Sequence, residues 1–248
     1  MSARVLVTGG TTGLGRAMAA ALAASGARVV LTSRDRARAQ AAAAEIGAIG
    51  IELDVRDESS VQAGVAAVYE RLGGLDALVC NAGIGMRTVN PRFMTHPQTF
   101  WETPVDGFRA VIDTNLTGYF LVAREVAPRL LAAGRGRIVN VSMNHSTMQR
   151  AGFVPYGPSR AGSEALSRIM AADLHGTGVT VNVLLPGGPT VTGMIPDDVP
   201  SGGPTLLMPE VMGPPIVWLA SDQAVGLHDE RIVATEFDRW LRDRNSLR

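Results

Sequence analysis

The sequence has one cysteine, no net charge and no long hydrophobic run, and each of these absences excludes a class of protein. Cys80 alone cannot form an internal disulfide, and no cluster of cysteine and histidine has the spacing of metal ligands. A formal net charge of zero provides no basic surplus for nucleic acid or an anionic membrane. No signal peptide and no apolar stretch long enough to cross a bilayer is visible. We therefore expect a cytoplasmic protein with no metal, no nucleic-acid partner and no membrane partner.

Short apolar runs alternate with helical segments along the 248 residues. The predicted strands are Arg4–Thr8, Arg28–Thr32, Ile49–Leu53, Ala77–Asn81, Arg137–Ser142, Thr180–Leu185 and Arg231–Ala234. The predicted helices are Arg16–Ser25, Arg36–Ile46, Ser59–Leu72, Val105–Ala133 and Tyr156–His175. Nearly all-apolar strands are typical of a sheet that is covered on both faces, and this alternation implies right-handed crossovers. The sequence therefore predicts the α/β class: one domain, residues 1–248, built on a single doubly wound, Rossmann-type parallel sheet with helices on both faces.

Two segments, residues 84–103 and 186–215, interrupt this alternation. Both follow predicted strands, and ligands bind beyond the carboxyl ends of the strands in an open parallel sheet. They are predicted to be either substrate-side loops or packed surface and subunit-contact loops. Their bulky side chains, with Phe153 from a later segment, would line an apolar pocket or belong to the core; they are Phe93, Met94, Phe100, Trp101 and Met194.

A glycine-rich turn joins the first predicted strand to the first predicted helix. Gly9 permits a tight turn, and Gly13 lets backbone N–H groups approach a pyrophosphate without an intervening Cβ. Gly15 allows the helix to pack close to the sheet, and the helix N-terminus favours an anion. The pattern predicts a dinucleotide site, with an ordinary strand-to-helix turn as the alternative.

Further motifs follow in a fixed order. They are Asp54-Val55, Asn81-Ala82-Gly83, Asn115 before a Thr-Gly pair, the run Ile138–Ser142, Tyr156 with Arg160, Pro186-Gly187 and Thr192. From residue 4 to about residue 222, this series resembles the short-chain dehydrogenase/reductase family, whose members are single Rossmann-type domains. The resemblance weakens at Leu227–Glu230, where that family usually has a Thr-Gly pair.

The resemblance implies a nicotinamide coenzyme and the residues that contact it. These are Gly9, Thr11, Thr12, Gly13, Leu14, Ser33, Arg34, Asp54, Val55, Asn81, Ala82, Gly83, Tyr156, Arg160, Pro186, Gly187 and Thr192. It places Asp54 at the adenine, Asn81 near the adenine-side ribose and Thr192 at the nicotinamide carboxamide.

The end of the second predicted strand indicates which coenzyme is used. An NAD-type enzyme usually has an acidic residue there, which accepts from the ribose 2′-hydroxyl. This chain has Thr32-Ser33-Arg34 instead, and the planar guanidinium of Arg34 matches a 2′-phosphate. We expect NADP(H) rather than NAD(H). The alternative is a solvated Arg34 that Asp35 neutralises.

Tyr156 and Arg160 stand four residues apart at the start of a predicted helix, so both project from one face. In the family this tyrosine is the general acid/base, and the residue four positions later is a lysine that binds the nicotinamide ribose. Arg160 keeps the positive charge that activates Tyr156. It cannot pass on a proton, because arginine does not deprotonate in proteins.

The family usually has its carbonyl-binding serine thirteen residues before the tyrosine, and here that residue is Met143. A thioether donates no hydrogen bond. Ser142 is the favoured replacement, although a shift of one residue along a strand points the side chain to the other face. Asn144, Ser146 and His145 are the other candidates.

The resemblance implies an oxidoreductase that interconverts a small-molecule ketone and a secondary alcohol. Tyr156, Arg160 and Ser142 would be catalytic, and Asn115 would hold a proton-relay water. Two alternatives stay open: a cofactor-free lyase that resembles the halohydrin dehalogenases, with their Ser-Tyr-Arg set, and a non-catalytic NADP(H) sensor or scaffold. The family also implies a homodimer or homotetramer, for which Phe237, Trp240 and Leu241 are candidate contacts.

Overall fold

One parallel sheet organises the chain in the computed structural model, which describes residues 2–196 and 205–246. Its strands are β1 (Arg4–Val7), β2 (Arg28–Ser33), β3 (Ile49–Glu52), β4 (Ala77–Cys80), β5 (Gly136–Val141), β6 (Val179–Leu185) and β7 (Arg231–Val233). Their order is β3-β2-β1-β4-β5-β6-β7, and every neighbouring pair is parallel. The predicted strands differ from these by at most one residue at either end. The predicted doubly wound sheet is confirmed.

Helices cover both faces of the sheet and enclose two apolar cores. The helices are α1 (Gly13–Ala24), α2 (Arg36–Ala44), α3 (Glu58–Leu72), α4 (Val105–Ile112), α5 (Gly118–Ala132), α6 (His145–Met148), α7 (Tyr156–Asp173), α8 (Gly213–Ala220) and α9 (Phe237–Ser246). Residues of α1, α2, α8 and α9 form the core on one face, and residues of α3, α5 and α7 form the core on the other. No helix in the two described ranges is long and apolar enough to cross a membrane.

The helical stretch predicted over Val105–Ala133 is confirmed, but it is not α-helical throughout, because a π-helical segment interrupts it. Residues Asp113–Thr117 form this wider turn between α4 and α5. Asn115 lies at its centre, is fully buried, and bonds through its carboxamide to the backbone of Ile84. π-Helical turns are frequent at functional sites. Here the wider turn accommodates the hydrogen bonds that Asn115 makes to Ile84.

Three helices were missed, and α6 and α8 lie in stretches where the sequence shows no clear helical period. The segment predicted as a loop over 186–215 becomes helical at Pro209, where a 3₁₀ turn leads into α8; residues 197–204 lie outside the described part of the chain. Pro214 and Pro215 fall in the first turn of α8, where the missing N–H costs nothing. Proline there starts a helix rather than prolonging a loop.

The C-terminal aromatic residues pack against their own chain, and their role as subunit contacts stays a prediction. Phe237 is buried in the core and stacks on Trp240 at a centroid distance of 5.9 Å. Trp218 of α8 meets Phe237 at 6.0 Å and Trp240 at 5.4 Å. Leu241 is partly buried against the same core. This cluster attaches α9 to α8.

Candidate active site

The loops after β1 and β4 approach each other closely at the carboxyl edge of the sheet. Asn81 Nδ2 donates to the carbonyl oxygens of Thr8 and Gly9, both at 3.0 Å. Thr8 Oγ1 accepts from the backbone N–H of Ala82 at 3.1 Å. Gly9 has a φ of +63°, and a Cβ there would lie 2.7 Å from Ala82 Cα. Asn81 thus braces the turn itself, and its place near the adenine-side ribose stays a prediction.

The first turn of α1 is open to an anion. Thr12 stands at the N-cap without a side-chain capping bond, and no acidic residue lies in the first turn. Gly13 has a φ of +53°, and a Cβ there would meet Thr192 Cγ2 at 3.1 Å. Thr11 and Leu14 are half-buried beside it. Free N–H groups and a glycine cradle fit a pyrophosphate, with Thr192 reaching over from the loop after β6.

The end of β2 carries an exposed cation. Arg34 is exposed and makes no ion pair with any residue in the described ranges. Asp35 is the N-cap of α2, where its carboxylate accepts from the N–H of Arg38 at 3.0 Å. Ser33 Oγ accepts from the N–H of Asp35 at 3.2 Å. Asp35 therefore caps the helix and leaves the guanidinium of Arg34 available.

Asp54 and Val55 follow β3 on the same edge. Arg56 binds the Asp54 carboxylate through Nε at 2.9 Å and lowers its pKa, and the nearby charge of Arg34 lowers it further. Val55 is buried, because Gly118 at the start of α5 packs against it: a Cβ at Gly118 would lie 2.7 Å from Val55 Cγ2. Val55 is thus a buried support for the carboxyl edge of the sheet after β3.

Tyr156 and Arg160 lie in the first two turns of α7, which begins beyond the end of β5. Arg160 is only 3% exposed, and its Cζ lies 5.4 Å from the centroid of the Tyr156 ring. Its Nη1 donates to Tyr119 Oη at 2.7 Å and to Val141 O at 3.1 Å. Burial lowers the pKa of Arg160, but the neighbouring phenols outweigh this effect and raise it above the ordinary value. The guanidinium is a permanent buried charge beside the phenol of Tyr156.

Asn115 and Gly83 close the space around this charge. Asn115 Oδ1 accepts from the N–H of Ile84 at 2.9 Å, and its Nδ2 donates to Ile84 O and to Ser159 Oγ. These bonds engage both polar atoms of the carboxamide, so its side chain braces the loop after β4, and the relay water expected at Asn115 stays a prediction. A Cβ at Gly83 would lie 2.5 Å from Arg160 Nη2 and 3.1 Å from Asn115 Oδ1. The guanidinium occupies the room that a side chain at Gly83 would need.

The structure does not support Ser142 as the carbonyl-binding hydroxyl. Ser142 Oγ donates to Glu164 Oε1 on α7. Arg231 Nε lies 3.1 Å from both carboxylate oxygens of Glu164, and His145 Nε2 lies 3.0 Å from one of them. Met143, one residue further along, packs instead against the same apolar cluster as Tyr156. The alternation of side chains along a strand explains the difference.

Two further groups hold the loop after β5 in place. Arg231 Nη2 donates to Met143 O at 2.7 Å. Asn144 Nδ2 donates to Gly187 O at 3.0 Å, which joins this loop to the one that follows β6. Gly187 has a φ of +102°, and Pro186 O accepts from the N–H of Thr235 at 3.2 Å. Of the polar candidates, Asn144 therefore touches the loop that leads to Thr192.

An apolar wall stands beside Tyr156. Its buried members are Met86, Phe93 and Phe153, with Val89, Met94 and Met143 packed against them. Met194 Sδ lies 3.8 Å from the Tyr156 hydroxyl, and Arg87 Nη1 donates to Ile195 O at 3.1 Å. The irregular segments after β4 and β6 thus meet next to the phenol. Phe100 and Trp101 do not belong to the wall, because they are 68% and 73% exposed.

Tyr119, Glu164 and Arg231 were not identified from the sequence. Tyr119 contacts Arg160, Glu164 contacts Ser142, and Arg231 holds Glu164 and the carbonyl of Met143. Tyr119 follows Asn115 by four residues, and that spacing is the signal that could have found it. Arg231 comes from β7, far along the chain from the loop it holds, and the pattern of the sequence does not indicate this contact.

Comparisons with known proteins agree with this geometry. The sequence model of the family described as short chain dehydrogenase matches residues 3–199. A 2-dehydro-3-deoxy-L-rhamnonate dehydrogenase (NAD(+)) from Sphingomonas sp. (strain SKA58) is 37% identical over 73% of this chain and 70% of its own length. A 2,5-dichloro-2,5-cyclohexadiene-1,4-diol dehydrogenase from Sphingobium indicum is 33% identical over 88% of this chain and 89% of its own. The 3-ketoacyl-(acyl-carrier-protein) reductase of Brucella melitensis, solved with NADH, superposes with a TM-score of 0.80 at 27% identity, covering 92% of this chain and 95% of that one.

Proposed function

The chain belongs to the short-chain dehydrogenase/reductase family, and from that premise we propose that it is an NADP(H)-dependent oxidoreductase that interconverts a small-molecule ketone and a secondary alcohol. The observation that carries the proposal is the buried guanidinium of Arg160, 5.4 Å from the ring of Tyr156. This pair lies next to a glycine crevice on one side and an apolar wall on the other.

Arg34 is the support for NADP(H). It is an exposed cation at the end of β2, Asp35 is engaged at the N-cap of α2, and no acidic residue occupies the end of the strand. A planar guanidinium binds a phosphate through two parallel hydrogen bonds. Two of the compared proteins carry NAD(+) or NADH in their names, so NADH is the coenzyme against which the proposal must be tested.

A bound nicotinamide coenzyme would supply or accept the hydride. Tyr156 would give its proton to the substrate oxygen in reduction and take it back in oxidation. Arg160 would stabilise the phenolate that forms, because its charge is permanent and little water reaches it. Since arginine keeps its proton, Tyr156 must recover its own from water or substrate.

Asn144 is our candidate for the group that polarises the substrate carbonyl. Ser142 is bound to Glu164, and Met143 has no donor. The carboxamide of Asn144 has a second Nδ2 hydrogen besides the one it gives to Gly187 O. A donor of this kind lowers the barrier by stabilising charge that develops on the carbonyl oxygen.

The two alternatives are weaker on the same contacts. A cofactor-free lyase would use the Tyr156–Arg160 pair, but it would have no need for the positive-φ glycines at positions 9 and 13 or for an uncapped α1. A sensor would bind NADP(H) without needing Tyr156 beside an apolar wall. We also propose a homodimer or homotetramer, for which exposed Phe120 and Leu131 on α5 and Ile169 on α7 are candidate contacts; sedimentation of the purified chain tests it.

The function is tested by titrating the purified protein with NADPH and NADH in a calorimeter and then following NADPH absorbance with a panel of ketones. We expect NADPH to bind more tightly than NADH and at least one ketone to be turned over. The Tyr156→Phe variant should reduce turnover by at least about a hundredfold and still bind coenzyme. Absence of heat with either coenzyme would overturn the proposal. Binding without turnover, unchanged in Tyr156→Phe, would favour the sensor, and release of halide from a halohydrin without coenzyme would favour the lyase.

A further inference from the structure

The buried guanidinium of Arg160 is held by groups that carry no charge. Within the described ranges it has no carboxylate partner. Its Nη1 divides its two hydrogens between Tyr119 Oη at 2.7 Å and Val141 O at 3.1 Å, and its buried Nε has no hydrogen-bond partner. A buried cation depends strongly on the few hydrogen bonds it makes. The bonds to Tyr119 and Val141 are the ones that hold its Nη1 edge.

Tyr119 is itself fixed in one orientation. It is 2% exposed in α5, and its hydroxyl donates to Val141 O at 3.1 Å. With its only hydrogen directed at Val141, the oxygen presents a lone pair to Arg160. Burial raises the pKa of Tyr119 to about 12, although Arg160 acts against the rise, so the phenol stays neutral and keeps this polarity. Cys80 on β4 belongs to the same buried core, and burial raises the pKa of its thiol.

The position of the guanidinium between two phenols links Tyr119 to the reacting group. Arg160 Cζ lies 5.4 Å from the ring centroid of Tyr119 and 5.4 Å from that of Tyr156. Gly83 limits the guanidinium on a third side, where a Cβ would come within 2.5 Å of Nη2. The guanidinium is rigid and planar. When hydrogen bonds fix one of its edges, its distance from a neighbour on the opposite edge, here Tyr156, is fixed as well.

We propose that Tyr119 is a positioning residue that holds the charge of Arg160 beside Tyr156. The inference deepens the proposed function and rests on it for its catalytic meaning. Lysine, which the family has at this position, places a single ammonium at the end of a flexible stem and has no guanidinium edge for Tyr119 to hold. The hydroxyl of Tyr119 should therefore matter when residue 160 is arginine and lose its influence in the R160K variant.

The test uses the ionisation of Tyr156, which can be measured without a known substrate. The chain has three tyrosines, so protein labelled at the tyrosine Cζ carbon yields three NMR signals, each assigned by its Tyr→Phe variant. The signal of Tyr156 is followed against pH in wild type, Tyr119→Phe, R160K and the double variant. Tyr69→Phe is the matched control, since Tyr69 also lies under an arginine, with Arg129 Cζ 4.8 Å above its ring, but in a different part of the fold.

We expect Tyr119→Phe to move the midpoint of Tyr156 ionisation to higher pH by about half a unit or more, a free-energy change of about 0.7 kcal/mol. In the R160K background, Tyr119→Phe should move this midpoint by less than about 0.2 pH units. Tyr69→Phe should leave the midpoint unchanged. Equal shifts in both backgrounds would reduce Tyr119 to a general packing role and overturn the proposal, as would no shift in either.

Activity then separates this proposal from the proposed function. If wild type turns over a ketone with NADPH, Tyr119→Phe should lower kcat by about fivefold or more, with the coenzyme Kd changed less than about twofold. If wild type binds no coenzyme but the NMR shifts follow the expected pattern, the function is wrong and the positioning of Arg160 stands. Melting temperatures of all variants verify that each is folded.

Discussion

Replacing Arg34 by alanine should weaken NADPH binding and leave NADH binding nearly unchanged. A charge-assisted hydrogen bond to a phosphate is worth about 1.5–3 kcal/mol. Because Arg34 is exposed, we take the lower end, and about 1.5 kcal/mol corresponds to a change of about tenfold in Kd. NADH lacks the 2′-phosphate, so its Kd should change by less than about twofold. The measurement is isothermal titration calorimetry of both coenzymes against both proteins.

Arg36→Ala is the matched control for Arg34→Ala. It removes the same charge two residues further on, from a side chain that lines a separate cavity between α2 and α3 with Ile51 and Glu52. Arg36→Ala should change the Kd of NADPH by less than about twofold. The difference in NADPH Kd between wild type and Arg34→Ala should also shrink at about 1 M salt, where the Debye length falls to about 3 Å. Equal losses for NADH and NADPH, or a wild type that prefers NADH, would refute the assignment of Arg34 to the 2′-phosphate.

Three further predictions address the catalytic charge and the stability of the fold. Gly83→Ala should destabilise the protein by about 1–3 kcal/mol and reduce turnover, because its Cβ would meet Arg160 Nη2. Denaturant unfolding measures the loss of stability, and kcat measures the loss of turnover. A variant with unchanged stability and kcat would contradict this packing. Arg160→Lys should keep or raise reductase activity, since a positive charge remains beside Tyr156, whereas complete loss in the NADPH-coupled assay would indicate that a guanidinium is required. Arg4 donates to both oxygens of Asp76 at 2.9 Å and lowers its pKa, so this pair stabilises the fold above the unfolded-state pKa of about 3.9 and loses that effect as the pH falls through the lower folded value. Asp76→Asn should therefore cost about 1–2 kcal/mol at pH 7 and less near pH 2, and an equal loss of melting temperature at both would contradict the ion pair.

Local patterns in the sequence were sufficient for the sheet and for part of the site. The strands could be predicted because most of them are short apolar runs. A strand covered on both faces needs apolar side chains at successive positions, which makes it visible in the sequence. The pairing of Tyr156 with Arg160 followed from a four-residue spacing, which helical geometry places on one face. The glycine-rich turn after β1 could be predicted because the positive φ of Gly9 and Gly13 is a property of the turn itself.

Predictions failed where a neighbour distant in sequence decides the outcome. Ser142 was chosen for its hydroxyl, but Glu164 binds that hydroxyl and Arg231 from β7 holds Glu164. The packing of Trp218 in α8 against Phe237 and Trp240 in α9 is another contact that the sequence does not indicate. The π-segment around Asn115 depends on Ile84, which follows a different strand.

The sequence by itself determined the fold and the family, since period, glycine spacing and motif order are properties of short stretches of chain. Only the tertiary structure decided what each polar side chain does, because a hydroxyl or guanidinium binds whichever partner packing brings within about 3 Å. Tyr119 is the clearest case: it lies outside the quoted motifs, and its role arises from the contact of α5 with α7.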